Sequence, residues 1–428
     1  MNLIHDRVLS KSYGGWGALA NWRNYWPWSG FDDDHRFGSE CWMGSPLTLP
    51  IPSRKAGSNA VTSAWSADHL HGIQETPHDV APLIRESDVN RIAPDLDIWD
   101  AWPIQDIDGT PSRLDRGDTL WMALGAPRFP DPEERHGHAR IHLLLKTADG
   151  FRHLGPALPD GFSPGSREWS GSAVLAPDRT GLTLYFTATG RRGETSLTFE
   201  QRLFQACATL ERSDGGYRLA DWRGLSEIVT RDPNHYMASD AGRGAVGTIK
   251  AFRDPAFFRD PRDGVDYIFF AASLAGSQSA FNGAVGWAGA TGMDAAAWEI
   301  RPPLISADTL NNELERPHVI AHQGAYYLFW STQAHIFNPD GPMGPTGLYG
   351  MVADRLDGPW RPLNGTGLVF ANPPEAPRQA YSWLVLPDLQ VTSFVDAWGS
   401  DGGSKRFGAT FAPTLRIHLD GAVAGLVP

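Results

Sequence analysis

The sequence predicts an all-β fold, on three observations. Short apolar runs rich in aromatic and β-branched residues recur between turn residues, and Asp-Gly pairs, a strong hairpin signal, recur along the chain, for example at 149–150 and 263–264. Long amphipathic helical patterns are scarce. The apolar runs include "ARIHLLLKT" (139–147), "GLTLYFTATG" (181–190), "VDYIFFAAS" (265–273) and "AYYLFWSTQ" (325–333). Many antiparallel strands in one long chain predict a sandwich, a barrel or a propeller.

The chain is predicted to have an irregular start and one large domain. Residues 1–60 are rich in Trp, Gly and Pro, contain the acidic run "FDDDH" (31–35) and show no sustained period, so we expect a segment that packs on the main body. No linker follows, and residues 61–428 are therefore expected to form a single domain. The best short helix candidate in that domain is "MDAAAWEI" (293–300).

Composition excludes several classes of function. The 428 residues carry a net charge of −12 and no run of Lys or Arg, which argues against nucleic acid as a partner. No stretch approaches the roughly 18 apolar residues of a membrane span. Two cysteines, Cys41 and Cys207, make no disulfide framework or zinc site, although they could form one bridge, and the sequence leaves that open.

Motifs for cofactors and metals fail on their context. "GRGAVG" (242–247) has the spacing of a dinucleotide loop but lacks the strand before it and the helix after it. The histidines of "ERHGHARIH" (134–142) have no further ligands nearby, so surface histidines on a strand edge are expected. No nucleophile elbow of the type G-x-S-x-G is present. Neither a cofactor nor a metal is expected.

Two acidic stretches suggest a polar binding site. In "IWDAWP", Asp100 lies between Trp99 and Trp102, and a carboxylate among large rings suggests a pocket wall, because burying a charge is costly without a use for it. Indole faces suit the C–H side of a sugar ring, and carboxylates accept its hydroxyls. In "FRDPAFF", Asp254 follows Arg253, which should keep it ionised and make it a hydroxyl acceptor rather than a proton donor. The alternative is a common salt-bridged strand start, and the stretch taken alone is a weak signal.

A third stretch, "NNELERPHVI" (311–320), contains Glu313 and Glu315. On a strand these two would share a face, and their mutual repulsion would raise one pKa, as a general acid requires. The alternative is a pair of solvated glutamates on a polar face beside Arg316, and the stretch taken alone favours that alternative.

Together these stretches resemble the motifs of glycoside hydrolase family 68, the levansucrase and inulosucrase family. "IWDAWP" is similar to the family's nucleophile motif, "FRDP" to its R-D-P motif and "ELERPH" to its acid/base motif. The motifs occur in family order, and the resemblance covers roughly residues 60 to 428. Further similar segments are "WSADHL" (65–70), "EWSGSA" (168–173), "GLYGMVADRLDGPW" (347–360) and "AYSWLVLP" (380–387).

The resemblance implies a five-bladed β-propeller with a central acidic pocket. It implies Asp100 as the nucleophile, Asp254 as the transition-state stabiliser and Glu315 as the acid/base. Asn312 stands where calcium-binding members have Asp, so no structural calcium is expected. The residues that the resemblance assigns to sugar binding are Trp65, Trp99, Trp169, Ser170, Arg253, Glu313, His335 and Tyr381; among these, His335 resembles the Gram-negative branch.

The activity implied is that of a levansucrase-type fructosyltransferase, which takes the fructosyl group from sucrose by a retaining double displacement. The acceptors would be fructan or other oligosaccharides, sucrose or water. Alternatives within the fold are a β-fructofuranosidase and an inulosucrase, and a non-catalytic sugar-binding propeller is a third. Linkage (β-2,6 or β-2,1) and oligomeric state stay open. The resembled branch is exported without a cleavable signal, which implies an extracellular protein; the lack of an apolar leader makes cytoplasm the alternative.

Overall fold

The computed structural model describes residues 61–73, 80–241, 249–291, 297–399 and 406–427. The predictions for residues 1–60, which include Cys41, and for 242–247 lie outside these ranges. The described part of the chain consists mainly of strands joined by turns, so the predicted all-β class is confirmed. No helix found in these ranges has the length and apolar character needed to cross a bilayer.

Within these ranges the secondary structure comprises 23 strands, one short α-helix and six short 3₁₀ segments. The strands are β1 (Ser63–Ala64), β2 (Leu96–Gln105), β3 (Thr119–Pro127), β4 (Arg140–Thr147), β5 (Gly150–Pro156), β6 (Arg167–Leu175), β7 (Gly181–Thr189), β8 (Gln201–Ser213), β9 (Gly216–Val229), β10 (Phe252–Arg259), β11 (Asp266–Ser273), β12 (Gly283–Thr291), β13 (Ala297–Ile300), β14 (Ile305–Ser306), β15 (Glu315–His322), β16 (Ala325–Thr332), β17 (Gly347–Ala353), β18 (Arg361–Pro362), β19 (Leu368–Ala371), β20 (Ala380–Val385), β21 (Gln390–Val395), β22 (Leu415–Asp420) and β23 (Val423–Leu426). The helix is α1 (Ala67–Leu70), and the 3₁₀ segments are Glu86–Asp88, Asp115–Gly117, Pro132–Gly137, Ser239–Ala241, Ala334–Ile336 and Leu363–Gly365.

The strands form four sheets made mainly of sequential antiparallel runs, with β1 added in parallel beside β14. The eight-stranded sheet has the order β5-β4-β3-β2-β6-β7-β8-β9, and the six-stranded sheet the order β1-β14-β12-β11-β10 with β13 on β12. The five-stranded sheet runs β15-β16-β17-β18 with β19 on β17, and the last runs β20-β21-β22-β23. In the largest sheet β2 and β6 are parallel and share only two residue pairs, Ile104 with Ala173 and Gln105 with Val174. That sheet is therefore two antiparallel meanders joined at a short seam.

The interior strands read as continuous apolar runs because both of their faces are covered. Every residue of β11 is buried, and so is all of β16 except Ala325. Asp-Gly pairs do connect consecutive strands as predicted, for example at 149–150 and 263–264. The pair at 108–109 instead closes a turn after β2, in which the N–H of Gly109 donates to the carbonyl of Asp106 at 3.0 Å.

The helix predicted for 293–300 is wrong over its described part. Residues 297–300 are strand β13, which pairs with β12, while 293–296 lie outside the described ranges. Trp298 packs edge-on against Tyr185, with ring centroids 6.0 Å apart. Pairing with the sheet edge and this aromatic contact outweigh the high intrinsic helix preference of alanine, because tertiary contacts override local propensity.

The predicted surface position of the histidines in 134–142 is wrong for His142. Strand β4 lies between β3 and β5, so His142 is only 6% exposed. Its Nδ1 lies 2.8 Å from Nε2 of His153, which lets the two rings share one proton. Burial, assisted by the neighbouring His153, lowers the pKa of His142 to about 3.

Trp65 is a second correction, because it belongs to the hydrophobic core and not to a sugar site. It is 1% exposed, and its ring centroid lies 5.2 Å from that of Trp330 and 5.0 Å from that of Tyr349. Its Nε1 donates to the carbonyl of Thr366 at 2.9 Å. An indole packed in this way among aromatic rings has no face left for a ligand.

The strands that position the site all contain a β-bulge. Strands β2, β6, β10, β15 and β20 each begin an antiparallel run, and β6 contacts β10, β10 contacts β15, and β15 contacts β20. A bulge inserts an unpaired residue, bends the strand and re-aims its side chains. The five register shifts occur between Trp99 and Trp102, Trp169 and Gly171, Arg253 and Ala256, Glu315 and His318, and Tyr381 and Leu384. They bring together residues that are far apart in the chain.

Beside these bulges, His318 ties β15 to β20. Its Nδ1 lies 2.9 Å from the carbonyl of Arg316, and its Nε2 accepts the backbone N–H of Val385 at 2.9 Å. The ring must therefore be neutral, with its proton on Nδ1. Burial lowers the pKa of His318 to about 4.

Acidification from pH 6.5 to 4 is expected to destabilise the protein partly through His318. In the unfolded chain this histidine takes up a proton near pH 6.5, whereas in the folded protein it does so only near pH 4. The unfolded state thus binds more protons in this window, and stability falls as pH falls, by on the order of 3 kcal/mol at most. His318→Gln should flatten the dependence of Tm on pH across the window, measured by calorimetry.

The matched control is His418→Gln, because His418 is an exposed strand histidine on β22. It should keep the wild-type slope of Tm against pH. An unchanged slope in His418→Gln together with an unchanged slope in His318→Gln would show that the β15–β20 tie does not titrate.

Candidate active site

Asp100 lies in the bulge of β2 with a backbone φ of +48°. A non-glycine residue rarely adopts this left-handed conformation, which costs on the order of 1–3 kcal/mol and is maintained by the surrounding structure. The indoles of Trp99 and Trp102 on either side are buried, as expected for a wall. Burial and distorted backbone at one carboxylate mark it as a candidate functional residue.

The charge state of Asp100 is set by opposing influences. Burial raises the pKa of its carboxyl to about 6; the guanidinium of Arg316 opposes this rise, and so does a hydrogen bond with Ser382. The negative charges of Glu315 and Asp254 raise the pKa further. The three carboxyl groups predicted from the sequence are thus close enough to interact electrostatically.

Arg316 organises the strands around Asp100, a role that the sequence reasoning missed. It lies in the bulge of β15 with φ +50° and is 5% exposed. Its Nη2 donates to the carbonyl of Ala101 at 2.8 Å, and its Nη1 to Oγ of Ser382 at 2.9 Å. One guanidinium therefore joins β15 to β2 and β20 and places a positive charge beside Asp100.

Asp254 and Ser170 are in direct contact. Ser170 donates from Oγ to Oδ1 of Asp254 at 2.6 Å, and the backbone N–H of Asp254, in the bulge of β10, donates to Oγ1 of Thr187 at 2.9 Å. The predicted effect of Arg253 on Asp254 needs correction. The guanidinium does favour the ionised form, but burial of the carboxyl outweighs it, and the pKa of Asp254 is raised.

Arg253 gathers the two glutamates. Its Nη2 lies 3.5 Å from Oε2 of Glu313 and 3.3 Å from Oε1 of Glu315. Glu313 precedes β15, so the two do not share a strand face as predicted, yet they are neighbours. Burial, assisted by the charges of Glu315 and Asp254, raises the pKa of Glu313 to about 7, against the opposing effect of Arg253. The pKa that rises within the pair is thus that of Glu313, and both glutamates are half-buried around Arg253 and not solvated on a polar face.

Unpaired polar atoms remain in this cluster. Within the described residues, Nη1 of Arg253 and Oδ2 of Asp254 are buried without a hydrogen-bond partner. Buried polar atoms of this kind are rare unless a ligand completes them. Tyr381 lies beside Glu315 and Glu313, whose charges add to burial in raising the pKa of its hydroxyl. The cluster therefore offers a donor and an acceptor to a polar ligand.

Two tryptophans of the predicted site are held by one segment, Pro132–Gly137. The ring of His136 packs edge-on against Trp99, with centroids 6.0 Å apart, and its carbonyl lies 3.5 Å from Nε1 of Trp169. The guanidinium of Arg135 lies 5.4 Å from the centroid of Trp99. This 3₁₀ segment, which the sequence reasoning did not identify, fixes both indoles relative to Asp100.

Glu168 of "EWSGSA" is an anchor and not part of the chemistry. It is 2% exposed, accepts from Nε of Arg140 at 2.9 Å and accepts the backbone N–H of Ile141 at 2.8 Å. These bonds pin β6 to β4 and thereby position Trp169 and Ser170.

His335 is exposed in the 3₁₀ segment Ala334–Ile336, which follows β16. The carbonyl of Ile336 accepts the backbone N–H of Asn312 at 3.1 Å, so the segment lies next to the residue that precedes Glu313. The predicted contact of His335 with a sugar stays a prediction.

An apolar cavity of about 290 Å³ lies next to the carboxylates. Its walls come from residues that follow the bulges, among them Phe257, Val319 and Leu384, and Asp254 and Arg316 border it. Apolar walls cannot satisfy the hydroxyl groups of a sugar, but they lower the local polarity. The apolar walls therefore add to the desolvation that raises the pKa of Asp254.

The arrangement suits chemistry at a saturated carbon that carries a leaving group. Asp100 is a candidate nucleophile, Glu315 is a candidate proton donor beside it, and Asp254 can accept hydroxyls. Two neighbouring carboxyl groups are what a retaining glycosidase uses. Among the residues that the structure describes, no group of three or more His, Cys, Asp or Glu side chains is arranged to hold a metal ion.

Comparison with known proteins gives consistent matches. The family model described as Levansucrase/Invertase, of glycoside hydrolase family 68, matches residues 55–283 and 277–425. A levansucrase of Pseudomonas syringae pv. actinidiae is 33% identical over 405 residues, covering 85% of this chain and 90% of that protein. A levansucrase of Rahnella aquatilis is 31% identical, covering 85% of this chain and 94% of that protein.

Solved structures resemble this one over most of their length. An inulosucrase from Halalkalicoccus jeotgali bound to kestose superimposes with a TM-score of 0.78 at 36% identity, covering 86% of this chain and 95% of that one. A levansucrase from Gluconacetobacter diazotrophicus superimposes with a TM-score of 0.73 at 23% identity, covering 86% and 90%, which supports the fold alone.

Proposed function

The chain belongs to the levansucrase/invertase family, glycoside hydrolase family 68, and on that premise we propose that it transfers the fructosyl group of sucrose to a fructan, to another sugar or to water. The observation that carries the proposal is that Asp100, Asp254 and Glu315 lie on neighbouring bulges and interact with one another, with Arg253 beside Asp254 and Glu315 and Arg316 beside Asp100. A sugar-binding protein without activity has no need for a nucleophile and a proton donor in one cluster.

The reaction proceeds in two displacements. Glu315 donates a proton to the glycosidic oxygen as the carboxylate of Asp100 attacks the anomeric carbon of the fructosyl unit, which releases glucose and leaves a fructosyl-enzyme ester. Glu315, now ionised, then takes the proton of an acceptor hydroxyl as that oxygen attacks the same carbon and Asp100 departs. Two inversions give retention.

The remaining groups hold the sugar while positive charge develops on its ring. Asp254 has an acceptor oxygen free for ring hydroxyls, and its charge is of most use in the transition state. Arg253 offers Nη1 as a donor, and the half-buried Trp169 offers an apolar ring face. Ser170 keeps Asp254 oriented by the 2.6 Å hydrogen bond.

We also propose that the sheets are the five blades of a propeller. Each of the five bulged strands starts an antiparallel run, and the largest sheet is two runs that share a two-pair seam. Each of these strands contacts the next, in the order β2, β6, β10, β15 and β20. The last run then contacts the first, through β21 and β2. A ring closed in this way would bring the bulges onto a common axis.

Product analysis tests the function. Incubation with sucrose should release glucose in clear excess over free fructose, because part of the fructosyl goes to sugar acceptors. Equal amounts of glucose and fructose would favour the β-fructofuranosidase alternative. No turnover of sucrose would exclude both the transferase and the hydrolase. The names of the relatives favour levan-type products, whereas the 36%-identical inulosucrase favours β-2,1 linkages, so linkage analysis of the products separates these two.

The activity is expected to fall as the pH drops through about 6. Asp100 must be ionised to attack, and its pKa is about 6, so kcat/KM should lose about half its value near that pH and decline further below it. Ser382→Ala removes a hydrogen bond that favours the ionised form and should displace this acid limb to higher pH.

The exposed Ser226 provides the control variant Ser226→Ala, which should keep the wild-type profile. Sucrose turnover measured from pH 8 to 4 tests whether Asp100 sets the acid limb of kcat/KM. A profile without an acid limb between pH 7 and 5 would show that Asp100 is not the group whose ionisation limits the rate.

A further inference from the structure

A buried lysine lies behind the carboxylates. Lys250, in the segment leading into β10, is 6% exposed, and its Nζ donates to the carbonyl of Ala280 at 2.7 Å, to Oδ1 of Asn282 at 2.7 Å and to Oδ1 of Asn312 at 2.9 Å. An ammonium has three donors, so its capacity is filled. These three partners are uncharged oxygens. A lysine is rarely buried on such terms, because burying a charge is costly.

Asn312 relays this contact to the site. Its side-chain amide donates to the carbonyl of Ile249 at 2.9 Å and lies 3.4 Å from Oε1 of Glu313. Asn312 is fully buried, and its backbone N–H is bound to the carbonyl of Ile336. The chain of contacts therefore runs from Lys250 through Asn312 to Glu313.

Glu313 is placed between two cations. On one side its Oε2 lies 3.5 Å from Nη2 of Arg253, which also meets Glu315. On the other side lie the amide of Asn312 and the ammonium of Lys250. The charged groups that face Glu313 are Arg253, Glu315, Asp254 and Lys250. A shift of Glu313 would change how Arg253 divides its contacts between the two glutamates.

We propose that Lys250 is a positioning residue for the acid/base: its buried ammonium fixes Asn312 and Glu313 at the entrance to β15, and so holds Arg253 and Glu315 in register. Lys250 touches none of the reacting atoms in this role. The inference rests on the proposed function, since that function assigns Glu315 its task.

Three lysine variants test the role. Lys250→Met removes the charge and the three hydrogen bonds at similar length, and it should lower kcat on sucrose by about ten- to a hundredfold with little change in KM, because a misplaced proton donor acts mainly on the transition state. Lys250→Arg restores a buried cation and should recover most of kcat. Lys146→Met is the control, since Lys146 lies on β4 against Trp121 and Phe151, and it should behave as wild type.

The ionisation of Glu313 gives a readout that a purely structural lysine would not change. Lys250 favours the ionised form of Glu313, whose pKa burial raises to about 7. Loss of the ammonium should therefore move the protonation of Glu313 to higher pH. Asn312→Asp, nearly the same in shape, keeps an acceptor for Lys250 but puts a carboxyl beside Glu313 and should move this protonation in the same direction.

Infrared spectroscopy follows the same ionisation without turnover. The carboxyl band that disappears in Glu313→Gln should titrate at higher pH in both Lys250→Met and Asn312→Asp than in the wild type. A wild type that does not turn over sucrose would count against the proposed function, while the infrared midpoint would still decide the role of Lys250. A lower Tm with unchanged kcat and band midpoint would overturn the inference and leave Lys250 a structural residue only.

Discussion

Replacing Asp100 with Asn is expected to reduce kcat on sucrose by about 10⁴- to 10⁶-fold while sucrose binding stays measurable. The amide is too weak a nucleophile to form the fructosyl ester, but it keeps the shape of the side chain between Trp99 and Trp102. Initial rates of glucose release give the first quantity, and titration calorimetry with sucrose gives the second.

The control for this variant is Asp95→Asn, because Asp95 is an exposed aspartate on the approach to β2. Acid quenching of the wild type during turnover should also trap one fructosyl group on the peptide that contains Asp100. A D100N enzyme with near-wild-type turnover, or a trapped sugar on a different peptide, would mean that another residue is the nucleophile.

Replacing Glu315 with Gln should lower kcat on sucrose by about 10²- to 10⁴-fold, because glucose then departs without a proton. An aryl β-fructofuranoside with an acidic phenol as leaving group needs no such help. Its first displacement should be nearly as fast as in the wild type, shown by a burst of phenol. Added azide should then speed the second step, since an anion needs no general base.

Two further variants separate this role from general damage. Glu299→Gln changes an exposed glutamate on β13 and should leave both donors unaffected. Glu313→Gln should slow turnover of both donors, because Glu313 orients Arg253 as well as Glu315 and does not itself donate the proton. If E315Q lost equal activity on sucrose and on the aryl donor, Glu315 would not be the acid.

The sequence predicted the strands from local pattern, since a buried strand such as β11 is apolar between its first and last residues. Asp100 is conspicuous between indoles, whereas Asp254 and Glu315 were singled out only through their resemblance to family motifs. The bulges were not predicted, although two of them carry a signal. Pro255 and Pro317 stand inside buried strands, where a residue without an N–H is tolerated at a bulge. Prolines directly after Asp254 and Arg316 could therefore have located both distortions.

Residues whose roles depend on distant partners could not be found in this way. Arg316 looked like a neighbour of solvated glutamates, and only the fold shows its bonds to Ala101 and Ser382. The position of Trp65 was misjudged for the same reason, since its core partners lie in β16 and β17. The charge of Asp254 was misjudged because the adjacent cation is visible in the sequence and the extent of desolvation is not.

The guanidinium that links β15 to β2 and β20 has a consequence for biosynthesis. Asp100 leaves the ribosome early, but Ser382 and the strands β20 to β23 emerge last. A nascent polypeptide therefore carries its nucleophile long before the residues that tune it are made. Catalytic competence arrives only with the final meander, and shortened translation products that end before β20 should be inert toward sucrose.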